Sequence, residues 1–435
     1  MRGLDDLDRR ILAVAAPAFL ALVTEPLMLL ADTAIIGHLG TTELGGLAAA
    51  SVVLTTVVGL CVFLAYGSTA AVARQHGAGR EAAAYGLAVG GLWLALGLGI
   101  VLGLGTAVSS KALSDWLSSS AAVAEQADRY LVISASGVPA MLVVLAATGA
   151  LRGVLDLKTP LIVAAVANVL NVVLNLALVY GLGLGIGGSA AGTVIAQWVA
   201  AAWLGVVVVR RARAARASVW PRIGAIVRAG RDGVPLLVRT ATLRASLVLA
   251  TAVAADLGDV PLAAHQVATA IVTFLAFGLD AIAIAGQALT GRTLGAGDAP
   301  RTRELTRRMV AWGIGTGLFA AVVLAAGSPV LARLFSPDPA VQRALVPALL
   351  VVAAIQPLSG VVFVLDGVLI GAGDGVYLAW AGLAVLVAYV PLVLAVGALD
   401  AGFTWLWAAY GAFIAARLVT LWLRQRSDRW MVLGA

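Results

Sequence analysis

Four acidic residues stand in apolar runs where an acid is costly. Glu25 and Asp32 share one run, Asp280 lies in a second and Asp366 in a third. A carboxylate inside a bilayer costs a few kcal/mol or more, so such groups mark ion or proton pathways unless a partner neutralises them. Glu25 and Asp32 are seven residues apart, which puts both on one helix face, two turns from each other. The chemistry this suits is reversible protonation, because a carboxyl group taken out of water favours its neutral form. Asp32 is expected to be the principal proton carrier and Glu25 a second carboxylate. Pro17 and Pro26 each delete a backbone hydrogen bond and allow this helix to bend. Asp280 and Asp366 have a competing explanation. Arg239 and Arg244 lie in an apolar run of the same half, and structural ion pairs between these arginines and either acid are expected.

Amides form the second polar group. Asn168, Asn171 and Asn175 follow at i, i+3 and i+7 and present three amides on one face of an otherwise apolar helix. Thr193 and Gln197 (i, i+4) add a polar face to the next helix. Interhelical hydrogen bonding explains such groups at roughly 1 kcal/mol per contact, and an ion path explains them equally well. Both readings place them inside a helix bundle. Met28, Asn168, Gln197, Asp280 and Asp366 are the candidates for lining a substrate cavity.

The elements that carry these groups follow from composition. Of 435 residues, 61% are hydrophobic and 12% charged, whereas soluble domains carry about a quarter charged residues. A helix crossing the roughly 30 Å hydrocarbon core needs about 20 apolar residues. Twelve such runs are predicted, at 10–36, 44–73, 82–108, 123–150, 159–181, 187–209, 232–255, 261–290, 309–330, 340–370, 376–398 and 402–423. The runs are continuous rather than alternating, which argues against a barrel. Met1 to Arg10 is charged, no small-residue cleavage site follows it, and no removable signal peptide is expected.

The net charge of +7 reads as topology and implies no nucleic-acid partner. Twenty-two of the 29 Lys and Arg fall at the termini or in alternate loops, including Arg74, Arg80, Arg152, Lys158, the stretch Arg210 to Arg231, and Arg292 to Arg308. Four fall in the other loops (Lys111, Arg129, Arg333 and Arg343), and Arg239, Arg244 and Arg417 fall within helices. This bias predicts a multi-pass protein of the cytoplasmic (inner) membrane with both termini cytoplasmic. Cys61 is the single cysteine, so no internal disulfide forms.

Much of the chain is written twice. Gly149-Ala-Leu-Arg-Gly-Val-Leu-Asp156 reappears as Gly367-Val-Leu-Ile-Gly-Ala-Gly-Asp374, and Gly77-Ala-Gly as Gly295-Ala-Gly. Pro17 maps onto Pro235, Gly40 onto Gly258 and Pro139 onto Pro357, all at one constant offset. The expected architecture is an all-α integral membrane protein of twelve helices in two six-helix lobes, residues 1–215 and 216–435. An even number of helices per lobe gives both the same orientation, so a pseudo-two-fold axis along the membrane normal is expected, with the substrate path between the lobes.

No enzyme chemistry stands out. His38 to Glu43 and His76 to Glu81 share the HxxxxE spacing of some acyltransferases, but they fall on opposite membrane faces in the predicted topology. Gly77-Ala-Gly79 and Gly295-Ala-Gly297 lack the strand and the Lys-Ser/Thr of a phosphate loop and read as tight turns between helices. No cofactor is expected.

Several segments resemble the multidrug and toxic compound extrusion (MATE) family. Pro26-Leu-Met-Leu-Leu-Ala-Asp-Thr-Ala-Ile-Ile-Gly-His-Leu-Gly40 is similar to its first helix, and Asn171-Val-Val-Leu-Asn175 with Gly181-Leu-Gly-Leu-Gly-Ile-Gly-Gly-Ser-Ala-Ala-Gly-Thr193 to its fifth and sixth. Ala263-Ala-His-Gln-Val267 and Gly286-Gln-Ala-Leu-Thr-Gly-Arg-Thr-Leu-Gly-Ala-Gly-Asp298 resemble its seventh and eighth. Leu279-Asp280 and Leu365-Asp-Gly367 resemble the DNA-damage-inducible F branch. The resemblance covers the whole chain. It implies an antiporter that expels lipophilic or cationic small molecules in exchange for H⁺ or Na⁺, acting as a monomer. By resemblance, Asp32, Asn171, Asn175 and Thr193 are the cation-coupling residues, and Pro17 is the bending point of the first helix. Na⁺-binding members usually carry Asp where this chain has Asn175, which shifts the expectation from Na⁺ to H⁺ and leaves at most a weak Na⁺ site at these four residues. A lipid-linked precursor flippase of the wider superfamily, usually of about fourteen helices, and a membrane-embedded acyltransferase are the competing readings.

Overall fold

The computed structural model describes residues 6–434, apart from the side chain of Glu25. Among the described residues the secondary structure is helical, with no strand. In chain order the helices are α1 (Asp6–Gly37), α2 (Thr41–Leu60), α3 (Phe63–Gly77), α4 (Glu81–Leu117), α5 (Ala121–Ala135), α6 (Val138–Gly153) and α7 (Lys158–Asn175). A π-helical segment, Leu176–Gly181, continues α7. Then come α8 (Gly185–Ala214), α9 (Ile223–Asp256), α10 (Asp259–Gly295), α11 (Ala299–Phe335), α12 (Pro339–Gly371), α13 (Gly375–Ala398) and α14 (Phe403–Arg426). Among the described residues eleven spans are long and apolar enough to cross a membrane, and the bent pair α5–α6, taken as one span, is a twelfth.

Two spans predicted as single helices are broken. Cys61 and Val62 part α2 from α3, and their amides donate to the Val58 and Gly59 carbonyls at 3.0 and 3.5 Å, a tight turn inside one span. Ser136 and Gly137 part α5 from α6, with a bend of 52°. Pro139 lacks the N–H that would have bonded back to Ala135. The Ser136 carbonyl, freed by the bend, accepts from Trp198 Nε1 at 3.1 Å. By contrast α1 continues as one helix past both Pro17 and Pro26.

The chain forms two compact units, Leu20–Gly233 and Met1–Phe19 with Val234–Ala435. This differs from a division at 215/216 at both ends of the first half. The start of α1 packs with the later residues because Asp8 is buried there. Its carboxylate accepts from Arg308 Nε at 2.6 Å and from Trp312 Nε1 at 2.8 Å. Residues 216–233 stay with the first unit: the Val219 carbonyl accepts from Trp93 Nε1 at 3.2 Å, and Gly233 lies against the Phe63 ring.

Each unit is built round one helix. In the first unit α6 packs on α3, α4 and α8; in the second α12 packs on α10, α11 and α14. Glycine permits these approaches. A methyl group at Gly149 would lie 2.3 Å from the Ala65 carbonyl oxygen, and one at Gly367 would lie 2.3 Å from that of Ala283. Likewise Gly99 abuts Pro139, and Gly317 abuts Pro357. Every member of these contacts is displaced from its counterpart by the same offset that carries Pro17 onto Pro235. The duplication read in the sequence is therefore a duplication of backbone-to-backbone packing, the main source of helix association where lipid removes the hydrophobic drive.

Candidate functional site

The polar core of the first unit is assembled from α1, α5, α7 and α8. Asp32, Asn171, Asn175 and Thr193 are all buried, the two asparagines completely. Asn175 Nδ2 donates to Asp32 Oδ1 at 2.6 Å and more weakly to Asn171 Oδ1 at 3.4 Å. Asn171 Nδ2 donates to Thr193 Oγ1 at 2.8 Å. The four residues thus form one continuous network from α1 through α7 to α8. The Asn175 carbonyl oxygen is buried without a donor, and it occupies space that a side chain at Gly192 would fill, 2.5 Å from a Cβ there. Gly192 is what lets α8 approach this amide.

Local structure holds the network in place. Asn168, one turn before Asn171, donates from Nδ2 to the Thr24 carbonyl of α1 at 2.7 Å. Tyr180 in the π segment donates from its hydroxyl to the Ile35 carbonyl of α1 at 2.6 Å. The two bonds bracket Asp32 along α1 and fix α7 against it. A π turn directly after Asn175 re-aims the helix end, as such turns commonly do beside polar sites.

Sequence reasoning missed Tyr130 of α5. Its side chain is buried beside Thr193 and within electrostatic reach of Asp32. The signal available was a tyrosine inside an apolar run, which needs a partner for its hydroxyl. Gln197 and Met28 are half-buried and take no part in the hydrogen bonds of the cluster. The side chain of Glu25 lies outside the described residues.

The second unit carries a different polar centre. Asp366 of α12 forms an ion pair with Arg239 of α9, whose Nε also donates to Oδ1 at 3.3 Å. Arg417 of α14 donates from Nη2 to Oδ2 at 3.1 Å. All three side chains are nearly buried, at 11%, 9% and 12% exposure for Arg239, Asp366 and Arg417. Asp366 is therefore engaged by two guanidiniums instead of open to a cationic ligand, and Arg417, far off in sequence, is the partner that spacing did not reveal. The expected pairing of Arg244 does not occur: Arg244 is exposed and makes no ion pair among the described residues. Five residues turn a helix by about 500°, so Arg239 and Arg244 point to different faces of α9. Asp280 is half-buried on α10. His76 Nδ1 lies 2.6 Å from Glu81 Oε1, a contact joining the end of α3 to the start of α4.

Chemically, the first cluster offers one carboxylate, two amides and a hydroxyl in a dry setting. These are hard oxygen ligands with a single negative charge. They fit a proton, or a weakly held monovalent cation at most, and not a tightly bound metal.

The chain and its internal repeat have known relatives. A family model described as MatE matches residues 17–177 and again 235–395, so both ends of the second match keep the offset of the repeated prolines. The chain is 32% identical to DNA damage-inducible protein F of Escherichia coli K12, over 99% of this chain and 95% of that one. It is 31% identical to Protein DETOXIFICATION 44, chloroplastic, of Arabidopsis thaliana, over 99% and 85%. The crystal structure of the Vibrio cholerae MATE transporter VcmN in its bent form has the same fold, with a TM-score of 0.88, 21% identity and 98% of each chain covered.

Proposed function

This chain belongs to the MatE family of membrane transporters, and from that membership we propose that it is a secondary active efflux antiporter for lipophilic or cationic compounds, driven by protons through Asp32. The observation that carries the proposal is the buried bond from Asn175 Nδ2 to Asp32 Oδ1, 2.6 Å long. An amide suits both charge states of a carboxyl group. It donates N–H to the carboxylate, and by turning over it accepts from the protonated acid. The orphaned Asn175 oxygen is the acceptor that the second state needs.

In the proposed cycle a proton from outside neutralises Asp32. Asp32 then becomes a donor, Asn175 reorients, and the Asn171–Thr193 bond that shares its network is disturbed. The change biases α1 to bend at Pro17, which shrinks the space for the drug and releases it. Loss of the proton to the cytoplasm resets the network, and an incoming cation favours the ionised carboxylate. Access alternates because each charge state prefers one shape of α1. Glu25, two turns away, is a second carboxylate on the path. With cytoplasmic termini in the inner membrane, the inward proton gradient drives export. Na⁺ coupling has less support, since Asn175 brings no charge. A flippase reading is weakened by twelve spans in place of about fourteen, and by the engagement of Arg239 with Asp366.

The test is transport of a fluorescent lipophilic cation in proteoliposomes under an imposed pH gradient. Asp32→Asn should abolish pH-driven transport while the protein stays folded by thermal unfolding. Asn175→Asp should keep transport and add Na⁺ sensitivity. Normal transport by Asp32→Asn would remove the assignment and make Glu25 the next residue to replace.

A further inference from the structure

Arginines gather at one end of the second unit, and a cavity of about 530 Å³ opens among them, between α11, α12, α14 and the turn after α14. That volume falls inside the roughly 300–1,000 Å³ range of small-molecule sites. Its rim carries Arg303, Glu304, Arg307 and Asp428. Arg303 Nη2 donates to Asp428 Oδ2 at 2.8 Å, and Glu304 Oε2 accepts from Arg301 Nη1 at 3.0 Å. Arg307 is exposed and has no hydrogen-bond or ion-pair partner among the described residues. Behind the rim the wall turns apolar, with Val310 of α11 and Val361 and Leu365 of α12. Trp422 flanks the opening, 41% exposed, with the Arg426 guanidinium 3.8 Å from its ring centre. Tryptophan in this setting is characteristic of the membrane–water boundary.

The turn that completes the rim is held in place. Asp428 adopts a left-handed conformation, with φ 54°. Just beyond it Trp430 is buried, and its Nε1 donates to the Gln425 carbonyl at 3.0 Å. Gly434 N donates to the Leu294 carbonyl at 3.0 Å and ties the segment back to α10. A non-glycine residue in this region is uncommon and persists where its surroundings demand it.

We propose that this cavity binds one phospholipid bearing an ethanolamine headgroup. A charged rim over an apolar wall selects an amphiphile. The rim itself has two cations and two carboxylates, so it matches a zwitterion better than an anion. Arg307, with Arg303 beside it, supplies charge-assisted donors to the phosphodiester. Glu304 and Asp428 accept from the primary ammonium. The acyl chains lie along the half-buried Val310 and Val361 and out into the bilayer. A choline headgroup has no N–H to donate to the two carboxylates, and a glycerol headgroup brings no cation to them.

The experiment uses the full-length protein in detergent, titrated with dioleoyl phosphatidylethanolamine, phosphatidylcholine or phosphatidylglycerol. Binding is read by native mass spectrometry and by the rise in unfolding temperature. Phosphatidylethanolamine should bind most tightly and raise the unfolding temperature most. Loss of one charge-assisted contact in Arg307→Ala or Asp428→Asn should weaken it by about tenfold, and Arg307→Lys should restore part of the loss. Equal binding of the three lipids by the unsubstituted protein would overturn the proposal, as would unchanged phosphatidylethanolamine binding in both Arg307→Ala and Asp428→Asn. The headgroup series alone decides the matter should a substituted protein fail to fold.

Discussion

The two units share a skeleton and differ in their polar hearts. Contacts that rest on glycine recur at the repeat offset: Gly149 on Ala65 and Gly367 on Ala283, Gly99 on Pro139 and Gly317 on Pro357. The helix ends recur too. Leu155 and Asp156 donate to the Arg152 and Leu151 carbonyls just as Gly373 and Asp374 donate to those of Ile370 and Leu369. The buried polar centres do not recur. The positions in the second half equivalent to Asp32, Asn171, Asn175 and Thr193 hold Ala250, Tyr389, Val393 and Gly411, and those in the first half equivalent to Arg239, Asp366 and Arg417 hold Ala21, Thr148 and Val199. A duplicated fold keeps its backbone contacts, which tolerate little change, and frees its buried side chains to specialise. The first unit holds a buried acid bonded to an amide, and the second an acid clamped between two arginines.

The widest gap should appear when the two buried acids are neutralised in the same way. Asp366→Asn leaves two nearly buried guanidiniums without their counter-charge, and a loss of about 3–5 kcal/mol in stability is expected. Asp32→Asn removes a carboxyl that forms no ion pair among the described residues and should leave stability nearly unchanged. Unfolding curves in one detergent compare the two directly, and equal losses would erase the distinction between a structural and a working acid.

Next in size are the shared glycines. Gly149→Ala and Gly367→Ala each drive a methyl into a carbonyl oxygen, for which overpacking costs of about 1–3 kcal/mol are typical. The two losses should agree within error. Gly97→Ala and Gly315→Ala, another pair at the same offset, have nothing within 4 Å of the new atom and should be neutral or slightly stabilising. Unequal losses at 149 and 367 would mean that the repeated packing is not energetically equivalent.

A smaller effect concerns the repeated aspartates at the helix ends. Asp156 forms an ion pair with Arg211 of α8. Asp374 accepts from Arg424 of α14 at 2.6 and 3.1 Å. Partial burial pushes the Asp156 carboxyl up, but the Thr159 amide and hydroxyl and the Arg211 guanidinium outweigh it and hold the group below the usual aspartate range. A depressed carboxyl stabilises the fold above its unfolded value, near 3.9, and that contribution fades as pH falls through the folded value. Asp156→Asn should therefore cost about 1 kcal/mol at neutral pH, after allowance for the partial exposure of Arg211. The difference from the unsubstituted protein should shrink below the usual aspartate range. Thermal unfolding at stepped pH reads this out.

The smallest expected change is a gain. Leu155 has φ 62° where its counterpart Gly373 has φ 77°. A bulky residue in the left-handed region costs about 1–2 kcal/mol, of which the greater freedom of an unfolded glycine returns part. Leu155→Gly should raise stability by about 0.5–1 kcal/mol, measured by denaturant unfolding, and make the two turns alike.

The spans were legible because an apolar run long enough to cross the hydrocarbon core has few other uses, and the repeat was legible because glycine and proline positions are constrained by contact. The break at Cys61 left only a faint trace: Leu60-Cys-Val-Phe63 contains neither glycine nor proline, and Gly59 just before it is one of many glycines in the apolar runs. The break at Ser136 left a trace in Gly137 and Pro139. In the site, the polar face of Asn168, Asn171 and Asn175 showed through its helical period, and the structure brings Asn171, Asn175 and Thr193 to Asp32. Tyr130 and Arg417 have no periodic signal, because each meets its partner from a distant helix. The Arg244 expectation missed the angular offset from Arg239 along a single helix.

The burial of Asp8 has a consequence for biosynthesis. Its partners Arg308 and Trp312 leave the ribosome some 300 residues after it, about 15–60 s later at synthesis rates of about 5–20 residues per second. The start of α1 is thus completed only once α11 has been made. Until α11 emerges, Asp8 lacks the Arg308 and Trp312 contacts of the finished protein. The nascent chain can close the first unit around α6 while this end waits. A slowdown in translation between α8 and α11 would lengthen that wait without altering a single contact of the finished protein.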